Sequence, residues 1–276
     1  MAITFGVLSA LLLGASDFLA ARAARHSPSL SVTRTVVSTS LLFSPLLLLL
    51  VDSAPTRRDL FLGAGSGIAM ITGLMLLYHG YKVARMGIVA PTSSVLLAAV
   101  PVLFDLVRGE RPSTLGAVGI VIGLVALVLT SYTPGGEGSA TLGALLGLAS
   151  GVAFGIAFTL MGEVGDEAGL APVMAQRLAG FVLLTIVFLI GRDPFLVEHR
   201  PARRTAIVGG LIAMFAIAFL QLGFRSGASG PVSVAASQFA TVAVILSVLF
   251  NKERMRWWQG LGVGATAVGV ALIALG

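Results

Sequence analysis

Two short stretches decide how this chain is built: Arg85-Met-Gly-Ile-Val-Ala-Pro91 and Arg225-Ser-Gly-Ala-Ser-Gly-Pro231. Both read Arg-x-Gly-x-x-x-Pro, and they lie 140 residues apart. Each introduces an apolar run that ends in an acid–base pair, Glu110-Arg111 in the first case and Glu253-Arg254 in the second. A glycine-rich apolar run follows each pair, GAVGIVIGLVALVL and GLGVGATAVGVALIAL. Upstream, an arginine stands near the start of a corresponding apolar run in each half, Arg34 and Arg177. Four features repeated in one order are evidence of an internal duplication.

Working outward from these stretches, apolar runs long enough to cross a bilayer, ~20 residues each, predict ten helices. They cover about 3–21, 31–51, 60–80, 87–107, 113–131, 140–161, 170–190, 205–224, 229–250 and 257–275. The connections are short, except for the polar linker 132–139 and the charged stretch from Gly191 to Arg204. The expected fold class is an all-α, polytopic membrane protein of ten transmembrane helices, formed by two five-helix repeats over 1–131 and 140–276. Five is an odd number, so the second repeat enters the membrane from the opposite side. Such inverted repeats are common in secondary transporters. The N-terminal run has no basic residues ahead of it and contains Asp17, so it reads as a retained first helix and not as a signal peptide.

Composition agrees with a lipid-embedded chain. Of its 276 residues 57% are hydrophobic and 11% charged, against roughly a quarter charged in soluble domains. The 34 glycines and 11 prolines suit membrane helices, which use glycine for close packing and tolerate both residues. Cysteine is absent, which excludes disulfides and thiolate chemistry. The three histidines, His26, His79 and His199, are too few and too scattered for an obvious metal cluster. The net charge of +6 sits in short gaps between apolar runs. It fits membrane topology and anionic headgroups and gives no ground for a nucleic-acid partner.

Ionisable and polar groups within apolar runs need a reason to be there. Asp17 reads either as a proton-titrating or amine-binding carboxylate, or as a boundary residue near the headgroups. Arg34 and Arg177 read either as anion-binding groups or as locks onto backbone carbonyls, with Gln176 beside the second. Tyr78 and His79 end the third helix, as cavity groups or as part of an interfacial belt; Gln221 is among their counterparts. Gly87, Pro91, Thr92 and Ser93 begin the fourth helix, and Gly227 and Pro231 the ninth. A proline there either frees a carbonyl toward a cavity or sits harmlessly in the first turns. Gln238, two turns past Pro231, is the leading polar candidate of the second half. Glu110 and Glu253 read as salt-bridge anchors at helix ends, and Gly14 and Pro101 as packing or conformational residues. No Walker loop, HExxH, CxxC or dinucleotide fingerprint occurs. No cofactor or metal is expected, and no enzymatic activity.

The Gly-x-x-x-Pro openings of helices 4 and 9, the Glu-Arg pairs that end them, the glycine-rich helices 5 and 10, and Gly14-Ala15-Ser16-Asp17-Phe18 make the chain resemble the EamA-type transporters of the drug/metabolite transporter superfamily. That resemblance implies secondary active transport of a small organic solute, an amino acid, metabolite or drug-like compound, with export the usual direction. It implies a multi-pass protein of the cell membrane with both termini cytoplasmic. The partners expected are the solute, protons if Asp17 titrates, lipid, and in the oligomeric state either none or a second copy. A facilitator or exchanger without proton coupling, and a non-transporting scaffold, are the alternatives. The second half departs from the pattern: it reads Asn251-Lys252-Glu253-Arg254 and lacks a counterpart of Pro101. The basic-residue count also dissents. Five basic residues would face the cytoplasm and twelve the other side, which favours external termini.

Overall fold

The computed structural model describes residues 1–49, 51–83, 86–132, 139–190, 194–251 and 256–275. They form a bundle of α-helices: α1 (Ala2–Ala24), α2 (Ser29–Phe43), α3 (Arg57–Val83), α4 (Met86–Val107), α5 (Thr114–Ser131), α6 (Ala140–Gly162), α7 (Ala171–Ile190), α8 (Arg200–Arg225), α9 (Ser229–Ser237), α10 (Phe239–Asn251) and α11 (Trp257–Leu275). Eight helical stretches among the described residues are long and apolar enough to cross a membrane, with α9 and α10 acting together as one. α4 and α5 add shorter apolar stretches, Thr92–Val107 and Thr114–Leu129. Large apolar side chains such as Val107, Val121, Leu189 and Ile190 stand exposed on the outside, as expected where lipid replaces water.

Local chemistry explains where helices depart from the apolar runs. The second run breaks at Phe43 and continues as a 3-10 turn, Ser44–Leu49. Pro45 has no N–H and crowds the carbonyl of Leu41. That carbonyl instead accepts from the backbone N–H and the hydroxyl of Ser44. α8 starts at Arg200, earlier than the apolar run at 205. His199 caps it by accepting from the Ala202 N–H at 3.4 Å, and Pro201 occupies the first turn, a favoured position for proline. Arg200, Arg203 and Arg204 of the charged stretch are therefore helical. The ninth run bends at Gln238, between α9 and α10.

Glycine and small residues set the packing distances. A Cβ on Gly67 of α3 would lie 2.1 Å from the Gln176 carbonyl oxygen of α7, and one on Gly210 of α8 would lie 2.6 Å from that of Val36 in α2. Along α6, Gly147, Gly151 and Gly155 press on Val89, Ser93 and Val100 of α4. Along α1, Gly6 and Gly14 press on Val232 of α9 and on Phe239 and Val242 of α10. α1 also packs along α8, and α6 along α3; α2 lies on α8, and α7 on α3; α5 lies on α11. Interaction without a hydrophobic driving force needs such close backbone approach.

Candidate functional site

In α1, three consecutive side chains take three directions. The Ser16 hydroxyl donates to the Gly209 carbonyl of α8 at 2.9 Å. Phe18 meets Phe250 of α10, ring centroids 5.8 Å apart. Asp17, between two buried neighbours, is exposed. It makes no hydrogen bond or ion pair among the described residues, yet its charge acts on Tyr78 of α3. α1 and α3 are not among the helix pairs that pack along each other. Thr33 of α2, whose hydroxyl donates to the Ser29 carbonyl at 3.0 Å, lies near Tyr78. His79, the next residue of α3, is exposed. Asp17, Thr33 and Tyr78 thus converge from three helices at a similar depth.

Arg34 points away from this cluster. It is 1% exposed; its Nε donates to the Leu184 carbonyl and an NH group to that of Pro194, each at 3.3 Å. Its guanidinium lies 5.3 Å from the Phe188 ring centre. Arg177 donates to the Ala213 carbonyl at 3.3 Å, while its Nε is buried without a partner. The neighbouring Gln176 donates to Ser66 at 2.8 Å, and Ser66 to the Ala157 carbonyl at 2.8 Å. The Gln176 Oε1 has no partner. Gln221 is fully buried with neither amide atom hydrogen-bonded.

Gln238 has its polar atoms engaged. Its amide N donates to the Gly123 and Val234 carbonyls at 3.3 Å, and its Oε1 accepts from Thr266 at 3.0 Å. It pins the α9–α10 bend to α5 and α11, beside an apolar cavity of ≈ 190 Å³. Ser93 donates to Ser150, whose own proton goes to the Gly73 carbonyl at 2.9 Å. Thr92 is half-buried and Pro101 buried. Gly14 is a tight contact with α10. Gly87 and Pro91 lie within α4; their surroundings, and Glu253 altogether, are outside the described residues. Among the described residues no group of three His, Asp or Glu stands together to hold a metal ion. Two histidines do meet, however: the rings of His26 and His199 are 5.4 Å apart.

At the end of the bundle that carries the chain termini, polar bonds tie together helices that are far apart in sequence. Asp105, at the end of α4, accepts from the Ser229 hydroxyl at 2.6 Å and from the Gly230 N–H. It thereby caps α9, which has no side-chain cap of its own, and helix N-termini favour a carboxylate. Pro231 lies one residue further on and, with Asp105, lines a cavity of ≈ 160 Å³; Gly227 is exposed in the turn before α9. Glu163 pairs with Arg108 and with Arg58, the latter at 3.6 Å. Asp59 accepts from the Gly165 N–H at 2.9 Å. Glu110 was the expected anchor of the first half, but it is exposed and makes no ion pair among the described residues; Glu163 takes that part instead.

Thr33, Asp59, Asp105 and Glu163 were not singled out as functional from sequence. An acid inside an apolar run was a signal for Asp105. A stripe of small residues at four-residue spacing, Gly6-Ala10-Gly14 and Gly147-Gly151-Gly155, was a further signal of duplication.

Fold and site together define a polytopic, all-α membrane protein with polar groups gathered between its helices. Residues 141–275 match the profile of the EamA-like transporter family. That stretch spans nearly all of α6 through α11. A crystal structure described only as that of a protein superposes with a TM-score of 0.80, covering 99% of this chain and 96% of that chain at 16% sequence identity. It shares the fold. No curated protein matches the chain.

Proposed function

We propose that the protein is a secondary active transporter that moves an amine-bearing small organic solute across the cell membrane by alternating access, in the export direction, with Asp17 as the group that binds solute and proton in turn. The observation that carries this reading is the exposed Asp17 carboxylate, which has no hydrogen bond or ion pair among the described residues and lies at a depth close to that of Tyr78. A carboxylate left unpaired within a membrane helix is costly, and a cation or a proton relieves the cost. One carboxylate that holds either occupant couples their movement in opposite directions.

The ten-helix, two-repeat architecture belongs to the same proposal. Its support is the pairing of helices: α1 on α8 matches α6 on α3, α2 on α8 matches α7 on α3, and α1 on α9–α10 matches α6 on α4. The pairs α5–α11 and α2–α7 are their own images. A two-fold axis in the membrane plane relates such halves, and exchanging their conformations moves the opening from one face to the other. The bonds of Asp105, Asp59 and Glu163 then close the terminal face while Asp17 is reached from the opposite one. Both termini are placed in the cytoplasm; fusions of a reporter that functions only in the cytoplasm test this directly.

The transport reading is tested by uptake into proteoliposomes of a panel of amines, amino acids and nucleosides, with and without a pH gradient. Saturable, gradient-driven flux of an amine that is lost in Asp17→Asn is expected. Absence of saturable flux for every compound removes the carrier reading. Flux that survives Asp17→Asn unchanged leaves a facilitator without coupling through this residue.

A further inference from the structure

The cluster around Asp17 has a counterpart. Thr33, Arg34 and Tyr78 lie 143 residues before Gln176, Arg177 and Gln221, and Asp17 lies 141 before Phe158. The depths match too. Tyr78 is five residues from the end of α3 and Gln221 four from the end of α8; Thr33 and Gln176 are four and five residues into α2 and α7. The first set is near the face opposite the termini and the second near the terminal face.

Their states differ. Asp17 is exposed and Tyr78 half-buried. In the second set Phe158 is 2% exposed and meets Phe224 edge-on at 6.0 Å. Gln221 and Gln176 are 0% and 3% exposed. Three of their four amide atoms have no hydrogen-bond partner. Buried polar groups are normally paired, and each exception calls for an explanation. A structural glutamine is satisfied, as Gln238 is by two carbonyls and a threonine hydroxyl. Gln221 is not.

We infer that Gln221 and Gln176 form a second solute-contacting site, closed in this structure, that opens when the terminal face opens and binds the uncharged polar part of the solute. Two amides offer both donors and acceptors and carry no charge. They therefore suit a hydroxyl, amide or similar group, and they lack the carboxylate that would retain an amine. A transported solute would be held by charge at Asp17 and passed to a neutral site from which it leaves readily. The Phe158–Phe224 contact is the cover that parts when that site opens. This inference rests on the alternating-access reading.

The absence of native cysteine makes the test direct. Gln221→Cys and, separately, a reporter Ser229→Cys at the terminal face are treated with a maleimide in proteoliposomes, with and without Asp105→Ala. The reporter is expected to label readily once Asp105 is removed, and Cys at 221 to change from protected to reactive in step with it. Gln221→Leu removes the unpartnered atoms while keeping the volume. It is expected to leave thermal stability unchanged or raised, and to lower uptake of the transported panel compound about two- to tenfold, the factor a neutral hydrogen bond is worth. A responding reporter with an unreactive position 221 overturns the second site alone, as does full uptake by Gln221→Leu. An unresponsive reporter overturns alternating access at this face, and the second site with it.

Discussion

The two halves place polar groups at matching depths and treat them oppositely. In the first half an exposed acid and a half-buried phenol stand at the depth of a buried threonine. In the second, a phenylalanine and two glutamines are packed away with amide atoms unpaired. Duplication conserves geometry, whereas the chemistry of each copy is free to change. On the proposed duplication the carboxylate survives in one copy only, so the two proposed sites have unequal hold on a cation. A carrier with one charged and one neutral site has a built-in asymmetry between capture and release.

The largest expected effect comes from erasing that difference. Asp17→Asn makes both sites neutral, and amine flux is expected to fall about 10- to 100-fold, the loss when a charge-assisted bond worth ~1.5–3 kcal/mol disappears. Initial rates in proteoliposomes measure it; Asp17→Glu, which keeps the charge, is expected to recover part of the flux. Flux equal to that of the unmodified protein ends the comparison.

The shared geometry is tested next. Gly67→Ala and Gly210→Ala place a Cβ 2.1 and 2.6 Å from a carbonyl of the helix beneath. Each is expected to destabilise the bundle by about 1–3 kcal/mol through overpacking, read as lower thermal unfolding temperatures in detergent. A loss in one variant and none in the other would show that the α3–α7 and α2–α8 contacts are not equivalent.

Smaller effects come from the terminal face. Asp105→Ala leaves the α9 N-terminus uncapped and is expected to cost ~1–2 kcal/mol in the same unfolding measurement, with Asp105→Asn, which keeps an acceptor oxygen, losing less. Glu163→Gln removes ion pairs to largely exposed arginines, so a change of ~0–1 kcal/mol that shrinks with added salt is expected. A larger change would make Glu163, and not Asp105, the main tie between halves at this face.

How much of this was legible in the sequence depended on the range of the signal. Asp17 stood out because an acid in an apolar run is conspicuous without any structure. α8 was placed too late because hydropathy sees apolar side chains and not the His199 cap or Pro201. Gln238 looked like an open polar group, since nothing near it in sequence shows that Gly123 and Thr266 engage it. Gln221 drew interest only as a counterpart of the Tyr78 cluster, and its unpaired state needs knowledge of every neighbour. Thr33 passed unremarked as one small polar residue among many. His26 and His199 looked scattered because they are far apart along the chain and adjacent only when α1 and α8 pack.

By itself the sequence determined that lipid is the solvent and roughly where each apolar segment lies, and it carried the repeated motifs on which the proposed duplication rests. Those are properties of composition and of short motifs, read without knowing any partner. Only the tertiary structure decided which polar groups are satisfied and which stand open. The reason is distance along the chain: the bonds that settle it join residues such as Ser229 and Asp105, 124 positions apart, or Val197 and Thr35, 162 apart. In a membrane, where water does not compete for interior groups, those distant partners separate a lock such as Arg34 from an open carboxylate such as Asp17.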